Sequence, residues 1–277
     1  VKKAVHGSGP DEKMQVWKGS RNMKPLEIKH RVIGGGEPLI CVPVVEQDAQ
    51  SVIREITYLS QSTADMIEWR VDAFRDFTDY NAIRSVFEAV APLLGEKLFL
   101  YTFRTAHQGG MAQVKAEQLD DLHDLAAESG CVDLVDLEFF EEDRPLHKIK
   151  RLREMGVSVI ASHHDFEQTP SPEVMKMLLE KMCAGGADIV KLAVMPQNYK
   201  DVLNLLDVTA QFREENPDTP VITMSMGSLG GISRISGETF GSCVTFGAHE
   251  KPSAPGQFAM KELRQMLDTI HASSQIQ

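Results

Sequence analysis

Residues 157–194 read VSVIASHHDFEQTPSPEVMKMLLEKMCAGGADIVKLAV and contain two short β-branched runs separated by a longer segment of helical period. The runs at 157–163 and 188–194 have the length and composition of buried strands, whereas residues 172–182 carry apolar side chains three and four positions apart. A strand, a helix and a strand in this order predict a parallel β–α–β unit, because parallel neighbours need a crossover connection of this length.

The same alternation extends to both sides of this unit. Further strand candidates lie at residues 39–45, 66–71, 98–103, 132–139, 221–226 and 243–247. Amphipathic segments lie at residues 49–59, 81–94, 113–128, 200–212 and 258–270, and a Gly- and Ser-rich segment replaces most of the seventh helix. About 240 residues for eight strands give about 30 per unit, close to the repeat of a barrel of about 250 residues. We therefore predict an α/β fold, a (β/α)8 TIM barrel, rather than a doubly wound open sheet, because no strand is followed by G-x-G-x-x-G.

The chain before the first barrel strand has a different character. Residues 1–23 are polar and contain glycine, so we expect a flexible tail, partly processed or foreign because the chain begins with Val1. The sequence LEIKHRVIGGGEPLI at residues 26–40 contains two short extended pieces around three glycines. It predicts a β-hairpin that closes the floor of the barrel. We expect residues 24–277 to form a single catalytic barrel domain.

Composition narrows the class of protein. The formal net charge of −11 disfavours general nucleic-acid binding. No apolar run approaches the roughly 18 to 20 residues that span a bilayer, and no apolar segment follows the basic start, so we expect a soluble protein that is not exported. Four widely spaced cysteines without a C-x-x-C pair fit a reducing cytoplasm. The nine histidines show no metal-binding spacing, and we expect no structural metal.

Lys191 lies inside the apolar run DIVKLAV, where burial should leave its amine partly neutral. A neutral lysine is a nucleophile that forms an imine with a carbonyl compound. The alternative is a lysine that packs its stem or pairs with Glu68 or Glu138. The end of the preceding strand carries His164, whose ordinary pKa suits proton transfer near neutrality, while His163 should face the helices. Together the amine and the imidazole provide an electron sink and a base.

Arginines surround the same predicted mouth, although the chain is acidic overall. Arg70, Arg104 and Arg234 lie at or beyond the ends of their strands and indicate an anionic ligand. Ion pairs with neighbouring carboxylates are the alternative, and Arg234 is the arginine that we expect to bind the ligand. The segments at 227–241 and 253–257 are long irregular connections, of the kind with which barrels bind phosphate or carboxylate.

These residues lie in motifs that closely resemble those of type I 3-dehydroquinate dehydratases of the shikimate pathway, from about Leu39 to the C-terminus. The motifs are E-W-R-V-D at 68–72, T-F-R-T at 102–105, S-H-H-D-F at 162–166, K-L-A-V-M-P at 191–196, M-S-M-G at 224–227, S-R-I-S-G-E-T-F-G-S at 233–242 and S-A-P-G-Q at 253–257. Seven ordered motifs at strand ends make a chance similarity improbable, whereas one alone would be only suggestive.

The resemblance implies that Lys191 forms a Schiff base with the C3 ketone of 3-dehydroquinate. It further implies that His164 removes a C2 proton and then protonates the departing C1 hydroxyl. It implies no metal and no organic cofactor, because the protonated imine itself withdraws electrons from the adjacent carbon. Enzymes of this family are commonly homodimers, and we expect the same here. The residues assigned to substrate binding are Glu68, Arg70, Arg104, Met224, Met226, Arg234, Ser253 and Gln257.

One position departs from the family pattern. Where the family has T-F-R-T/S-x-x-E-G-G, this chain reads T-F-R-T-A-H-Q-G-G at residues 102–110, so Gln108 replaces a glutamate that the resemblance assigns to the catalytic histidine. A carboxamide can orient an imidazole but cannot stabilise imidazolium by charge or relay a proton. The pKa of His164 should therefore be lower than in relatives. We expect reduced rather than absent turnover, since acid–base assistance contributes about 10² to 10⁴ to a rate.

Two other functions remain open. A class I aldolase also uses a lysine imine on this fold, but it breaks a carbon–carbon bond and usually binds a phosphate. The second is a binding-only relative, in which Gln108 marks lost catalysis. The S-A-P-G-Q segment and the pairing of Lys191 with His164 favour the dehydratase.

Overall fold

The computed structural model describes residues 26–275, and the tail predicted at residues 1–23 lies outside them. Within that range the strands are β1 (Leu26–Ile28), β2 (Arg31–Ile33), β3 (Leu39–Val44), β4 (Met66–Arg70), β5 (Leu98–Thr102), β6 (Leu134–Glu138), β7 (Ser158–Asp165), β8 (Ile189–Val194), β9 (Val221–Ser225) and β10 (Val244–Phe246). The α-helices of the same range are α1 (Ala49–Ser60), α2 (Tyr80–Val90), α3 (Ala116–Glu128), α4 (Pro145–Glu154), α5 (Pro172–Ala184), α6 (Tyr199–Glu215), α7 (Gly231–Ile235), α8 (Gly237–Phe240) and α9 (Met260–Ser274).

Eight strands form one parallel sheet in the order β10-β3-β4-β5-β6-β7-β8-β9. The sheet curves into a nearly closed barrel, whose edges β9 and β10 meet at a bridge between Val221 and Ser242. The Ser242 hydroxyl accepts a hydrogen bond from the Thr223 backbone N–H at 3.0 Å, so a side chain continues the ladder where the strands diverge. All eight predicted barrel strands are present, and the predicted (β/α)8 fold is confirmed.

The structure adds detail to the predicted helices at two places. The alternation predicts a helix after the fourth barrel strand without giving its bounds; this helix is α4, with the sequence PLHKIKRLRE, and its Ile149 and Leu152 are buried against the barrel. The Gly- and Ser-rich segment after β9 contains the short helices α7 and α8. None of the helices in residues 26–275 combines the length and the apolar content that crossing a membrane requires.

The predicted hairpin consists of the antiparallel strands β1 and β2, but its turn is not at the glycines. The turn residues are Lys29 and His30, with φ of 51° and 69°, and the glycines follow β2. The position of this left-handed turn was missed because it contains neither Asn nor Gly, the residues that usually indicate such a turn. The Lys29 ammonium donates to Asp133 at 2.7 Å, and Ile33 is fully buried among the lowest inward side chains of the barrel. The hairpin therefore closes the floor, as predicted.

Side chains of the barrel strands alternate between the interior and the helix layer, as a pleated strand requires. Near the N-terminal ends of the strands the inward side chains are apolar: Cys41, Met66, Leu98, Leu134, Ile160, Ile189, Ile222 and Val244. Two residues farther along, the inward side chains include Glu68, Asp136, Ser162 and Lys191, all of them buried. The barrel thus changes from an apolar floor to a charged mouth at the C-terminal ends of its strands, where barrels of this kind place their active sites.

Candidate active site

Lys191 lies in the charged layer, on β8. Its Nζ lies 3.0 Å from Asp136 Oδ2 and 4.4 Å from the ring centroid of Phe246, and the side chain is almost fully buried. The acidic partner is therefore Asp136 and not Glu68 or Glu138, which were the partners considered from the sequence. An aromatic face beside the nitrogen stabilises a cation at this position, whether ammonium or protonated imine.

Asp136 binds three donors at the centre of the site. Its Oδ1 accepts from Arg104 Nη2 at 2.8 Å and from Ser162 Oγ at 2.6 Å, while Oδ2 faces Lys191. Burial would raise the pKa of Asp136, but the positive charges of Arg104 and Lys191 outweigh it and hold that pKa well below its usual range. The group is thus a fixed negative charge beside the lysine nitrogen.

Gln108 determines how the His164 ring is oriented. Gln108 is buried, and its side-chain oxygen lies 2.9 Å from the His164 backbone nitrogen and 3.1 Å from the ring Nδ1. A backbone N–H can only donate, so the atom of Gln108 that faces His164 is the carbonyl oxygen. That oxygen can only accept, which places the ring proton on Nδ1 and leaves Nε2 with a free lone pair.

The protein environment keeps the His164 ring neutral. Burial of the ring is the largest influence that lowers its pKa, and the positive charges of Arg104 and Lys191 lower it further. The negative charge of Asp136 opposes them but does not prevail, and the pKa lies well below its usual value. At neutral pH the imidazole is therefore a base, with Nε2 available to take a proton. That this pKa is also lower than in relatives with a glutamate at position 108 stays a prediction.

Two of the three arginines at the mouth already have acidic partners. Arg70 forms a two-pronged ion pair with Asp72, with Nε–Oδ1 and Nη2–Oδ2 distances of 2.7 and 2.8 Å. Arg104 bonds Glu138 at 2.9 Å as well as Asp136. Ion pairing with neighbouring carboxylates thus holds for these two residues, which leaves them rigid and only partly available to a ligand.

Arg234 is different. It lies on α7, is 1% exposed, and forms no ion pair with a carboxylate of residues 26–275. Its guanidinium donates to the backbone oxygens of Pro255 at 2.9 Å and Phe246 at 3.5 Å, and its Nε has no partner among the described atoms. Burial lowers its pKa to about 10, so it remains charged at neutral pH. A buried cation with unused donors is suited to bind an anionic ligand.

The S-A-P-G-Q segment packs beside Arg234 and is folded onto itself. The Ser253 backbone N–H donates to Gln257 Oε1 at 2.8 Å, and Gln257 Nε2 donates to Ser253 Oγ at 2.9 Å. Gly256 has φ of 79°, and a Cβ there would lie 2.2 Å from the Gly227 carbonyl oxygen. Only glycine fits this close approach, which connects the loop to the end of β9.

The remaining predicted residues lie in the same region. Met224 and Met226 are buried in the inner cluster at the end of β9, and the Thr102 hydroxyl donates to Glu68 Oε1 at 2.8 Å. Sequence reasoning missed Asp136 as the partner of Lys191, and it gave Ser162 no role beyond its place in the S-H-H-D-F motif. The available signal was the period of two along β6 and β7, which points both side chains inward with Lys191.

Comparison with known proteins identifies the family of this chain. The family model described as type I 3-dehydroquinase matches residues 40–274. A 3-dehydroquinate dehydratase of Syntrophotalea carbinolica is 41% identical over 250 residues, which cover 90% of this chain and 99% of that protein. One of Listeria monocytogenes serotype 4a is 42% identical with the same coverage.

Solved structures agree as well. The crystal structure of a type I 3-dehydroquinate dehydratase from Clostridium difficile, with covalently modified comenic acid, has a TM-score of 0.87 and 38% identity and covers 91% of this chain and all of its own. The 3-dehydroquinate dehydratase of Geobacillus kaustophilus has a TM-score of 0.88 and 35% identity over 91% of this chain and 98% of its own. With a family model that matches residues 40–274 and relatives that are 41% and 42% identical over 90% of its length, the chain belongs to the type I 3-dehydroquinase family.

Proposed function

We propose that this protein dehydrates 3-dehydroquinate to 3-dehydroshikimate through a Schiff base on Lys191. The observation that carries the proposal is a buried amine in the same barrel mouth as a neutral imidazole with a free Nε2. The guanidinium of Arg234, which is buried and has no acidic partner among residues 26–275, supports a carboxylate-bearing substrate. The names of the relatives give the same reaction class, a hydro-lyase.

The first step joins the enzyme to the ketone. Lys191 rests in an ion pair with Asp136, so it must lose a proton before its nitrogen attacks C3, and the free Nε2 of His164 is a suitable acceptor. The carbinolamine formed takes that proton back on its hydroxyl and loses water, which leaves a protonated imine. The carboxylate of Asp136 stabilises this cation as it stabilised the ammonium.

The second step removes water from the ring. Nε2 of His164 takes the C2 proton, and the electron pair of that C–H bond moves into the imine to form an enamine. The imidazolium then donates its proton to the C1 hydroxyl, which leaves as water while the enamine electrons restore the imine. Addition of water to the conjugated imine releases 3-dehydroshikimate and the free lysine.

Substrate binding divides the mouth into two parts. Arg234, Ser253 and Gln257 are assigned to the substrate carboxylate, because they combine the buried cation with neutral donors. Glu68, Arg70 and Arg104 are assigned to the ring hydroxyls, whereas Met224 and Met226 provide an apolar wall. The acidic partners of Arg70 and Arg104 fix the positions of their remaining donors before the substrate arrives.

A single experiment tests the substrate and the attachment residue together. The protein is incubated with 3-dehydroquinate and borohydride, and the reduced adduct is located by peptide mass spectrometry. We expect a stable adduct on Lys191, none in the Lys191→Met variant, and the ultraviolet absorbance of the conjugated product in the absence of borohydride. An unmodified Lys191 in an otherwise folded protein would reject Schiff-base catalysis and leave a binding role.

We infer further that the protein is a cytoplasmic homodimer. Its four cysteines form no disulfide, which suits a reducing compartment. Val174 and Met177 on α5 and Tyr199 and Leu203 on α6 are exposed apolar side chains on adjacent helices, a pattern that supports a subunit contact there. Sedimentation velocity should give a dimer for the unaltered chain and a monomer for Leu203→Glu, whereas a monomeric unaltered chain would reject the assignment.

A further inference from the structure

The far end of the Gln108 side chain contacts a second loop. Because the His164 backbone N–H fixes the carbonyl oxygen of Gln108, the amide nitrogen Nε2 must point away from the histidine. In that direction it donates a long hydrogen bond of 3.5 Å to Glu141 Oε1. The orientation of the amide is therefore determined at both ends, by an obligate donor on one side and a carboxylate acceptor on the other.

Glu141 is well placed to act on this amide. It lies in the connection between β6 and α4, where its backbone N–H donates to the backbone carbonyl oxygen of Glu138 at 3.1 Å. Its second carboxylate oxygen lies 3.8 Å from Nδ1 of His107, and no lysine or arginine within residues 26–275 forms an ion pair with it. Its negative charge is therefore not cancelled by a fixed cation of the described chain.

We propose that Glu141 is a positioning residue for His164. Glu141 acts through Gln108 and supplies indirectly the carboxylate charge that the family pattern places at position 108. This inference rests on the proposed function. A hydrogen bond to an anion polarises the amide, so its oxygen becomes a stronger acceptor for the Nδ1–H of His164. The stronger acceptor stabilises the imidazolium that forms when His164 takes the C2 proton.

The same geometry predicts the effect of Gln108→Glu. That substitution places a carboxylate at position 108, about as close to the Glu141 carboxylate as the Gln108 amide is now. Two like charges in contact favour a proton on one of them. The single variant should therefore gain little. The exchanged variant Gln108→Glu with Glu141→Gln keeps the same groups and the same total charge. It moves the carboxylate directly onto the histidine and should raise the pKa of His164.

Other charged groups around the ring remain constant through this series. They are Arg70 on β4, Arg104 after β5, Asp136 on β6, Lys191 on β8, His107 beside Glu141, and His163 and Asp165 on the histidine's own strand. A change in the His164 titration between variants can then be assigned to the pair at positions 108 and 141. The matched control is Glu167→Gln, which also removes one negative charge. Glu167 is an exposed residue at the rim, and its side chain makes no described contact with Gln108.

The full chain is tested as the unaltered protein, Glu141→Gln, Gln108→Glu, the exchanged variant and Glu167→Gln. Without substrate, imidazole NMR follows the titration of His164; with 3-dehydroquinate, kcat and KM are measured against pH. For Glu141→Gln we expect an about 2- to 10-fold lower kcat with little change in KM, and an acid limb of kcat displaced to lower pH. Glu167→Gln should match the unaltered protein, and the exchanged variant should displace the acid limb to higher pH with kcat restored.

Two results would overturn the assignment. One is a Glu141→Gln protein with the same His164 titration and the same kcat profile as Glu167→Gln. The other is a Gln108→Glu protein that gains as much as the exchanged variant, because position 141 would then be uncoupled. Failure of the proposed function gives a different result, namely no borohydride adduct on Lys191 in the unaltered protein, while the NMR titrations without substrate still report whether Glu141 acts on His164.

Discussion

The floor and the mouth of the barrel both hold charged side chains, but the floor pairs its charges within the protein, whereas the mouth leaves some of its donors and lone pairs open. At the floor an aspartate stands immediately before β4, β6 and β8. Each carboxylate accepts a backbone N–H of the preceding strand and pairs with a basic side chain: Asp65 with Ile40 and Arg31, Asp133 with Phe99 and Lys29, and Asp188 with Val159 and Arg153. These groups satisfy one another and stabilise the strand ends.

At the mouth the same chemistry is left incomplete. Arg234 is buried and pairs with no carboxylate of the described residues, and His164 is held neutral with Nε2 free. Both arrangements cost stability, because burial penalises an unpaired charge and an unsatisfied polar atom. The difference between the two ends indicates that the charges of the floor stabilise the folded barrel, whereas those of the mouth are available to bind a substrate. Substitutions that affect only one end can test this difference.

The largest expected effect is at the mouth. Arg234→Met should lower kcat/KM for 3-dehydroquinate about 10²- to 10³-fold, because a charged hydrogen-bond partner of the substrate carboxylate is lost from a buried site. The free energy of unfolding should stay within about 1 kcal/mol of the unaltered protein, since the substitution also removes a desolvated charge. Steady-state kinetics and urea denaturation measure the two quantities. An unchanged kcat/KM would show that Arg234 does not bind the substrate.

The opposite result is expected at the floor. Asp65→Asn should lower the free energy of unfolding by about 2 to 3 kcal/mol, because Arg31 and Arg264 lose the charge that they share and the Ile40 N–H loses a charged acceptor. The value of kcat should not change. Asp218→Asn, which removes an exposed charge, should stay within about 0.5 kcal/mol in the same urea titration. A loss of kcat in the folded Asp65 variant would contradict the separation of the two ends.

The sequence was sufficient for the features that depend on neighbouring residues. The strands and most of the helices were predicted because their apolar period is local. The motifs placed Lys191 on a strand, His164 near the end of another and Arg234 in the segment that follows β9. Ion pairs of Arg70 and Arg104 were considered from the sequence, but two other contacts were not predicted, because they join residues far apart in the chain: Asp136 and Lys191 are separated by 55 positions, and Gln108 and Glu141 by 33. Which carboxylate meets which cation depends on strand register, which periodicity alone does not give.

The hairpin and α4 show the other limit of local information. Lys29 and His30 adopt a turn that their residue types disfavour, because Lys29 is held by Asp133 across the floor. The helix α4 contains few apolar side chains, but two of them, Ile149 and Leu152, are buried and attach it to the barrel. In both cases a tertiary contact overrides a weak local preference.

Acid should affect buried neutral imidazoles before it affects the paired floor. His123 on α3 is buried beside Tyr101, and burial lowers its pKa to about 4, whereas its usual value is 6.5. Between these two values the unfolded chain binds more protons than the folded one, so the free energy of unfolding falls as pH falls through this window. We expect His123 to contribute a loss of about 1 to 2 kcal/mol between pH 7 and pH 5.

His123→Phe isolates this contribution. Phenylalanine keeps an aromatic ring at this position, and both nitrogens of His123 lack a partner among residues 26–275. The substitution should therefore leave stability at pH 7 unchanged or higher. Urea titrations at pH 7 and pH 5 should then show a smaller difference for the variant than for the unaltered protein. Equal differences in the two proteins would mean that His123 does not resist protonation when folded.

The smallest expected effect concerns a loop at the mouth that, like the floor, is fixed by side chains paired within the protein. His249 stacks on Tyr58 of α1 with ring centroids 3.9 Å apart, and its Nδ1 lies 2.8 Å from Glu55 Oε1. The loop that it begins also carries Ser253 and Gln257. Once released, this loop would have to be ordered during binding, and the entropy lost then weakens affinity without altering the reacting groups.

His249→Ala should therefore raise KM about 2- to 5-fold with little change in kcat or in the free energy of unfolding. His249→Phe keeps the stacking on Tyr58 but loses the bond to Glu55, so it should give a smaller rise in KM, and the two variants together separate the ring contact from the charge contact. If His249→Ala instead lowered kcat as strongly as it raised KM, the loop would act in the chemical step. A side-chain contact that is paired within the protein would then affect catalysis directly. The contrast between paired charges at the floor and unpaired groups at the mouth would not apply to the loops that surround the substrate.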